Sequence, residues 1–313
     1  MTVNHCDCSR DTPVETGTGA SLRSPDRLTA LGFVESWRKQ IRRDGSGGSS
    51  GCKRDQARAE IWIAPVPSLI RRFNADEVLS PSEMHEFRQV RVPSARDSTI
   101  AGRMLLRIAL SNGVQGRIAP RDWQLCTLPS GKLEIGQELP QPYFSVSHTE
   151  RIAVVALSEH LPVGIDAESI EQSVEREVAA NFCCAGEQAS LGVLPLRHSM
   201  RELIRLWTLK EAYAKLIGIG AAIDFSALGF SFDSLRLTHG AACENEQQAH
   251  FETMFVSNGN GLSHVSLAIG ISPFAALHAE LQVMTLVNDS GPSALDVPCF
   301  PLPEVPHAEQ VLR

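Results

Sequence analysis

Two acids stand two residues apart in Val163-Gly-Ile-Asp-Ala-Glu168. If this segment is a strand, Asp166 and Glu168 project from one face, and Ile165 and Ala167 from the other. Carboxylates spaced ~7 Å along a strand can turn their oxygens toward one hard cation. Mg²⁺ suits such a pair, because it takes few carboxylates and fills its other positions with phosphate oxygens and water. Further along lies Trp207-Thr-Leu-Lys-Glu-Ala-Tyr-Ala-Lys215. On a helix, Trp207, Glu211 and Lys215 recur every four residues and share a face, with Lys210 beside it. The large apolar Trp207 on that stripe sets the Glu–Lys pair at the edge of a core. Upstream, Phe144-Ser-Val-Ser-His148 ends in Ser147 and His148, both able to donate to phosphate oxygens. No GxSxG elbow surrounds Ser147, which argues against a Ser-His-Asp hydrolase. Each feature alone has an ordinary alternative: exposed acids, a surface ion pair worth a few tenths of a kcal/mol, a structural histidine.

The elements that must carry these residues follow from pattern. Glu60–Ala64, Tyr143–Val146, Ile152–Leu157 and Val163–Asp166 read as strands, with Ser147-His148 closing the second. Ser80-Pro-Ser-Glu83 opens a helix, serine as N-cap and Pro81 in the first turn. Ser98–Ser111 is helical by the recurrence of Ile100, Met104, Leu105 and Ile108, and Arg103 and Arg107 lie one turn apart on it. A helix over Val174–Phe182 and a long one over Arg201–Ile217, stopped by Gly218, come next. Phe230–Phe232, Ala249–Val256, Val265–Ile271 and Leu281–Val287 read as further strands. Strand and helix runs interleave without a regular βαβ repeat, so the expected class is α+β. Walker loop, HExxH and pre-helical GxGxxG are all absent.

The 313 residues are 43 % apolar and 21 % charged, as in an ordinary soluble globular protein. A net charge of −7 argues against a general nucleic-acid binder. Arg88 to Arg121 nevertheless holds seven arginines and a single acid, Asp97, a local balance of +6 that could steer an anionic ligand or an acidic partner. No apolar run approaches a membrane span. Met1–Asp11 lacks an apolar stretch behind a basic cluster, so no secretory signal is expected. Eight sparse cysteines read as free thiols of a reducing, cytoplasmic compartment. His5, Cys6 and Cys8 lack a second ligand pair at zinc-site spacing. Residues 1–56 form an appendage, with one short helix around Leu28, Leu31, Phe33, Val34 and Trp37 and a Gly/Ser linker over Asp44–Gly51. Residues 291–313, with five prolines, make an extended tail.

Together and in this order, the motifs resemble the 4′-phosphopantetheinyl transferase superfamily, of the surfactin-synthetase-activating type. The resemblance runs from about Ile61 to Leu286. It rests on Val163–Glu168, Trp207–Lys215 and Phe144–His148, with Gly131-Lys132, the Thr99–Arg107 helix and Asn181-Phe-Cys-Cys-Ala-Gly-Glu187 in support. Ser145 stands where the family often has asparagine, and Leu133 where proline usually follows Gly-Lys. The resemblance implies a pseudo-dimer of two similar α+β halves, 57–160 and 161–290, with the site in the cleft between them and a monomeric chain. It implies that Asp166, Glu168 and Glu211 hold Mg²⁺. Ser147, His148, Lys210 and Lys215 would meet the phosphates of coenzyme A. Gly131 and Lys132 would lie near adenine, and one of Arg88, Arg91 and Arg96 would meet the 3′-phosphate. The implied reaction moves phosphopantetheine from coenzyme A to a serine of an apo acyl or peptidyl carrier protein. Glu211, or a Mg²⁺-bound water polarised by Glu168, would take the serine proton, and Lys215 would protonate the leaving phosphate. A non-catalytic coenzyme A-binding module and a Mg²⁺-dependent phosphoester hydrolase are the competing readings.

Overall fold

The computed structural model describes residues 58–128, 131–137, 141–171, 178–218, 223–231, 237–239, 249–257, 261–270 and 280–285. The appendage over 1–56, the tail over 291–313, the His5/Cys6/Cys8 group and the start of the expected 174–182 helix lie outside these residues. Two sheets and two long helices form the frame. One sheet has the order β11-β1-β5-β4, from β1 (Arg58–Pro65), β4 (Tyr143–His148), β5 (Ile152–Ser158) and β11 (Glu280–Thr285). The other has the order β6-β10-β9, from β6 (Val163–Ser169), β9 (Ala249–Ser257) and β10 (Leu262–Gly270). Two small pairs accompany them: β2 (Leu125–Thr127) with β3 (Leu133–Ile135), and β7 (Gly229–Phe230) with β8 (Leu237–His239).

Period-two patterning fixes how the sheets stack. Ile61, Ile63, Val154 and Ala156 of the first sheet share one buried cluster with Val163, Ile165, Val265 and Leu267 of the second. The two inner faces are therefore packed on each other, as strand alternation requires. On the outer face of the first sheet, Trp62, Ala153, Val155 and Leu157 meet α4 (Pro93–Gly113). Three short helices, α1 (Val66–Arg72), α2 (Ala75–Val78) and α3 (Pro81–Arg88), close that side. On the outer face of the second sheet lies α7 (Leu196–Ile217), preceded by α5 (Ala179–Phe182) and α6 (Ala185–Val193). The layers thus run helix, sheet, sheet, helix, an α+β architecture as expected.

Local chemistry explains the helix limits. Ser80 caps α3 in a full capping box with Glu83, and Pro81 occupies the first turn. Gly218 ends α7 in the left-handed conformation, φ 78°, which glycine adopts without a Cβ clash. At Gly164 a Cβ would lie 1.9 Å from the carbonyl oxygen of Ala212, so only glycine lets α7 rest on β6. One strand departs from the expected division of the chain. β11 follows the second sheet in sequence but pairs in parallel with β1, so the first-half sheet is completed by residues from the 161–290 segment.

Candidate active site

The edges of the two sheets meet where β4 runs beside β6. The N–H of Ile165 donates to Ser145 Oγ at 3.0 Å, and Ser147 Oγ donates to Asp166 Oδ1 at 2.9 Å. A serine therefore does at position 145 what an edge strand needs, satisfying a backbone donor that has no ladder partner there. From the other side, α7 brings Lys215, whose Nζ donates to Asp166 Oδ1 at 2.6 Å and to the carbonyl of Ile165 at 3.1 Å. Asp166 is buried, and its Oδ2 has no hydrogen-bond partner. A buried carboxylate oxygen without a donor is costly unless something else engages it.

Glu168 and Glu211 flank Asp166, both half-buried. Burial, and then the Asp166 charge, pushes the Glu168 carboxyl above the ordinary carboxylate range, although an indole N–H from Trp207 and the Lys215 charge pull it back. Glu211 is raised in the same way, first by burial and then by Asp166, with Lys215 opposing. Three carboxylates thus share one ammonium group and repel each other, and a bound cation would relieve that repulsion. Among the described residues, no three His, Cys, Asp or Glu groups converge closely enough to hold a metal without side-chain movement. The donor set still fits Mg²⁺: a buried carboxylate oxygen of Asp166 without a hydrogen-bond partner, and two half-buried carboxylates beside it.

Ser147 and His148 do not share a face. Ser147 points inward to Asp166, whereas His148 points outward beneath α4, where a Cβ on Gly102 would lie 3.1 Å from the imidazole Cδ2. His148, although exposed, nevertheless feels the site: partial desolvation against α4 and the positive charge of Lys215 lower its pKa, with Asp166 acting the other way. A neutral imidazole results, which offers one N–H donor. The turn between β2 and β3 brings Lys132 to the far end of α7, where a Cβ on Gly218 would lie 3.1 Å from Lys132 Nζ. Gly131, at φ 83°, makes that turn possible. Arg88, Arg91 and Arg96 lie at the end of α3 and the start of α4, and Arg88 and Arg91 are exposed. Ser94 donates to Glu150 at 2.9 Å, so the turn that carries Arg91 and Arg96 lies against the loop just past His148.

Lys210 is a correction. The sequence places it among the phosphate contacts, but its side chain is fully buried. Its Nζ donates to Glu187 at 2.6 Å and to the carbonyls of Phe182, Leu228 and Phe225 at 2.7, 2.8 and 3.0 Å. An ammonium group with all its donors committed in the core is a brace, not a ligand contact. Helical spacing gives the reason: Lys210 lies a quarter-turn from the Glu211 face, toward the α5–α6 side. Arg103 and Arg107 also leave the basic block, because both are paired with the buried Glu83.

One buried polar cluster beside the acids has no place among the residues expected from the motifs. Thr208 Oγ1 shares hydrogen bonds with Ser266 Oγ at 2.7 Å and His264 Nδ1 at 2.9 Å. Burial and then the charge of Arg205 push the His264 pKa down to about 3, so the imidazole is neutral. A signal existed: His264 and Ser266 are polar at alternate positions of a strand whose Val265, Leu267 and Ile269 are apolar.

Residues 162–264, which contain Asp166, Glu168, Glu211 and Lys215, match the family model of the 4′-phosphopantetheinyl transferase superfamily. A Synechocystis sp. protein provisionally named a 4′-phosphopantetheinyl transferase is 27% identical over 51% of this chain and 65% of its own length. The 4′-phosphopantetheinyl transferase HetI of Nostoc sp. is 30% identical over 46% of this chain and 61% of its own. The 4′-phosphopantetheinyl transferase gsp of Aneurinibacillus migulanus is 34% identical over 27% of this chain and 35% of its own. The matched stretch spans less than two thirds of each of these relatives. These matches bear out the resemblance read from the motifs: over the stretch that carries Asp166, Glu168, Glu211 and Lys215, this chain is similar to 4′-phosphopantetheinyl transferases.

Proposed function

We propose that the protein transfers the 4′-phosphopantetheine group of coenzyme A to a serine of an apo acyl or peptidyl carrier protein. The observation that carries this reading is Asp166, buried at the seam of the two sheets, bonded to Ser147 from one side and Lys215 from the other, with one oxygen unpaired. Asp166, Glu168 and Glu211 would hold Mg²⁺, which would neutralise charge on the pyrophosphate when bound. The carrier serine oxygen attacks the β-phosphorus of coenzyme A. The bond from that phosphorus to the bridging oxygen breaks, and adenosine 3′,5′-bisphosphate leaves.

The chain's own groups divide the work. Glu211 or Glu168, the two half-buried carboxylates beside Asp166, takes the serine proton. Lys215 is part-exposed and donates to the leaving oxygen once it turns from Asp166. On the first-half side Ser147 holds Asp166, and the neutral His148 supplies a donor. Lys132 and Gly131, at the end of α7, lie where the adenine end of the substrate would reach.

The two-fold layering supports a pseudo-dimer with this site in its cleft. Each half has a long helix against its sheet. In each, a cation on that helix pairs with a capping-box glutamate: Glu83 with Arg107, 24 residues apart, and Glu187 with Lys210, 23 residues apart. The halves correspond to 57–160 and 161–290, apart from the return of β11. Among the described residues no helix is long and apolar enough to cross a membrane. A monomer acting in the cytoplasm on a soluble carrier is the proposed setting.

The test uses the full chain, Mg²⁺, coenzyme A and an apo carrier domain, with the carrier weighed intact. A gain of one phosphopantetheine is expected, and Glu211→Gln should slow it ~100-fold or more with its circular dichroism unchanged. Bound coenzyme A without mass gain, or phosphate release without a modified carrier, would overturn the reading.

A further inference from the structure

The three carboxylates come from two elements, β6 and α7, so their separation depends on how α7 is seated. Besides its apolar packing on the second sheet and the Lys210 brace, two close contacts hold α7 beside the acids. At one, Gly164 lets the backbone of α7 rest on β6 at Ala212. At the other, one helical turn earlier, Thr208 bonds to Ser266 and His264 of β10. Glu211 lies between these two points on the helix. The strand register adds the other half: Ser266 pairs with Asp166, and His264 pairs with Glu168. Cross-strand partners have adjacent side chains. Each β6 carboxylate therefore stands beside a residue that Thr208 holds. His264 is further wedged by Phe255, ring centroids 5.0 Å apart at 78°.

Thr208, Ser266 and His264 are all buried, none more than 1 % exposed. Thr208 Oγ1 also donates to the carbonyl of Arg205 at 3.0 Å. A hydroxyl has one proton. With that proton on Arg205, the same oxygen accepts from both Ser266 and the Nδ1–H of His264. Every capacity of the hydroxyl is then used, which fixes the rotamer of Thr208 and the facing side chains.

We propose that Thr208 is a positioning residue: through Ser266 and His264 it sets the separation of Glu211 from Asp166 and Glu168, and with it the affinity for a divalent cation. Thr208 touches neither metal nor substrate. This inference rests on the metal site proposed above. Partners that orient metal ligands commonly change affinity by roughly 10- to 100-fold when removed.

The experiment measures Mn²⁺ binding to the full chain, without coenzyme A, from the electron paramagnetic resonance signal of the free ion. Wild type should bind. Thr208→Val, which keeps shape and loses the hydroxyl, should weaken binding roughly tenfold or more. Thr208→Ser, which restores the hydroxyl, should bind within about twofold of wild type on the same reasoning. Leu209→Ala, a cavity variant one residue along the same helix, controls for general loosening. If Thr208→Val does not fold, Ser266→Ala replaces it under the same criteria. Unchanged Mn²⁺ affinity in Thr208→Val, or an equal loss in Leu209→Ala, overturns the positioning role. Failure of wild type to bind Mn²⁺ overturns the metal site itself, and the positioning role with it.

Discussion

At the scale of single residues, the site is a problem of three acids and one base. Asp166 has Lys215 and Ser147; Glu168 has Trp207; the raised pKa values of Glu168 and Glu211 report the remaining imbalance. This has a consequence for stability with a definite sign. A carboxyl whose folded pKa is raised keeps its proton to higher pH than it does in the unfolded chain. Its favourable contribution is complete below the ordinary glutamate value, ~4.3, and is lost as pH rises through the raised value. Glu168→Gln has no proton to lose. The metal-free variant should therefore unfold at a higher urea concentration than wild type at pH 7, and the difference should vanish near pH 4 (about the ordinary glutamate value). Adding Mg²⁺ at pH 7 should raise the wild-type midpoint and leave the variant nearly unmoved. Urea titrations at the two pH values, with and without Mg²⁺, check this. A variant less stable than wild type at pH 7 would show that Glu168 is satisfied rather than strained.

At the scale of elements, the two buried ion pairs decide whether the long helices stay seated. Glu187 accepts from Lys210, from the N–H of Cys184 and from the N–H of Phe230, so it joins α6, α7 and β7. Removing one partner of such a pair strands the other charge, at a cost of about 3–5 kcal/mol. Lys210→Met should lower unfolding free energy by roughly that amount. Adding Glu187→Gln to it should recover part of the loss, because the orphaned charge is gone. Chemical denaturation of both variants gives the answer; a Lys210→Met protein as stable as wild type would return Lys210 to the solvent-facing role that its sequence neighbours suggest. This pair also shows where sequence reading reached its limit. The β6 acids and the α7 Glu–Lys face were legible, because strand and helix periods place them without knowledge of the rest of the chain. Lys210 was misplaced because its direction depends on α5, α6 and the turn at Phe225, elements far away in sequence. Likewise Ser147 and His148 are adjacent in sequence yet on opposite faces of β4, a separation that follows once the strand is seen to continue through both. In the Thr208 cluster the polar positions His264 and Ser266 are visible in the strand pattern, but their bonding to Thr208 depends on how α7 meets β10, which no local pattern supplies.

At the scale of the whole molecule, the question is what the basic block from Arg88 to Arg121 faces. Of its seven arginines, Arg103 and Arg107 are consumed by Glu83, and those left for a ligand or partner lie nearer the surface. Arg91 and Arg96 flank Ser94, whose bond to Glu150 ties them to the His148 end of β4 and so to the mouth of the proposed cleft. In the proposed reaction the 3′-phosphate of coenzyme A and an acidic carrier surface would both approach from outside that mouth, and the two roles would leave different kinetic marks. If these arginines hold the 3′-phosphate, the double variant Arg91→Gln/Arg96→Gln should lose its preference for coenzyme A over dephospho-coenzyme A. If they steer the carrier, the double variant should raise KM for the carrier severalfold, leave kcat intact, and flatten the dependence of kcat/KM on salt, because screening acts within ~10 Å at 0.1 M ionic strength. The wild type should show that salt dependence in either case, since the carboxylates sit deep at the seam while the arginines sit in screened solvent. A double variant with wild-type values for both substrates and an unchanged salt profile would remove these arginines from the proposed cleft, and would leave Arg88 to be tested by the same assay.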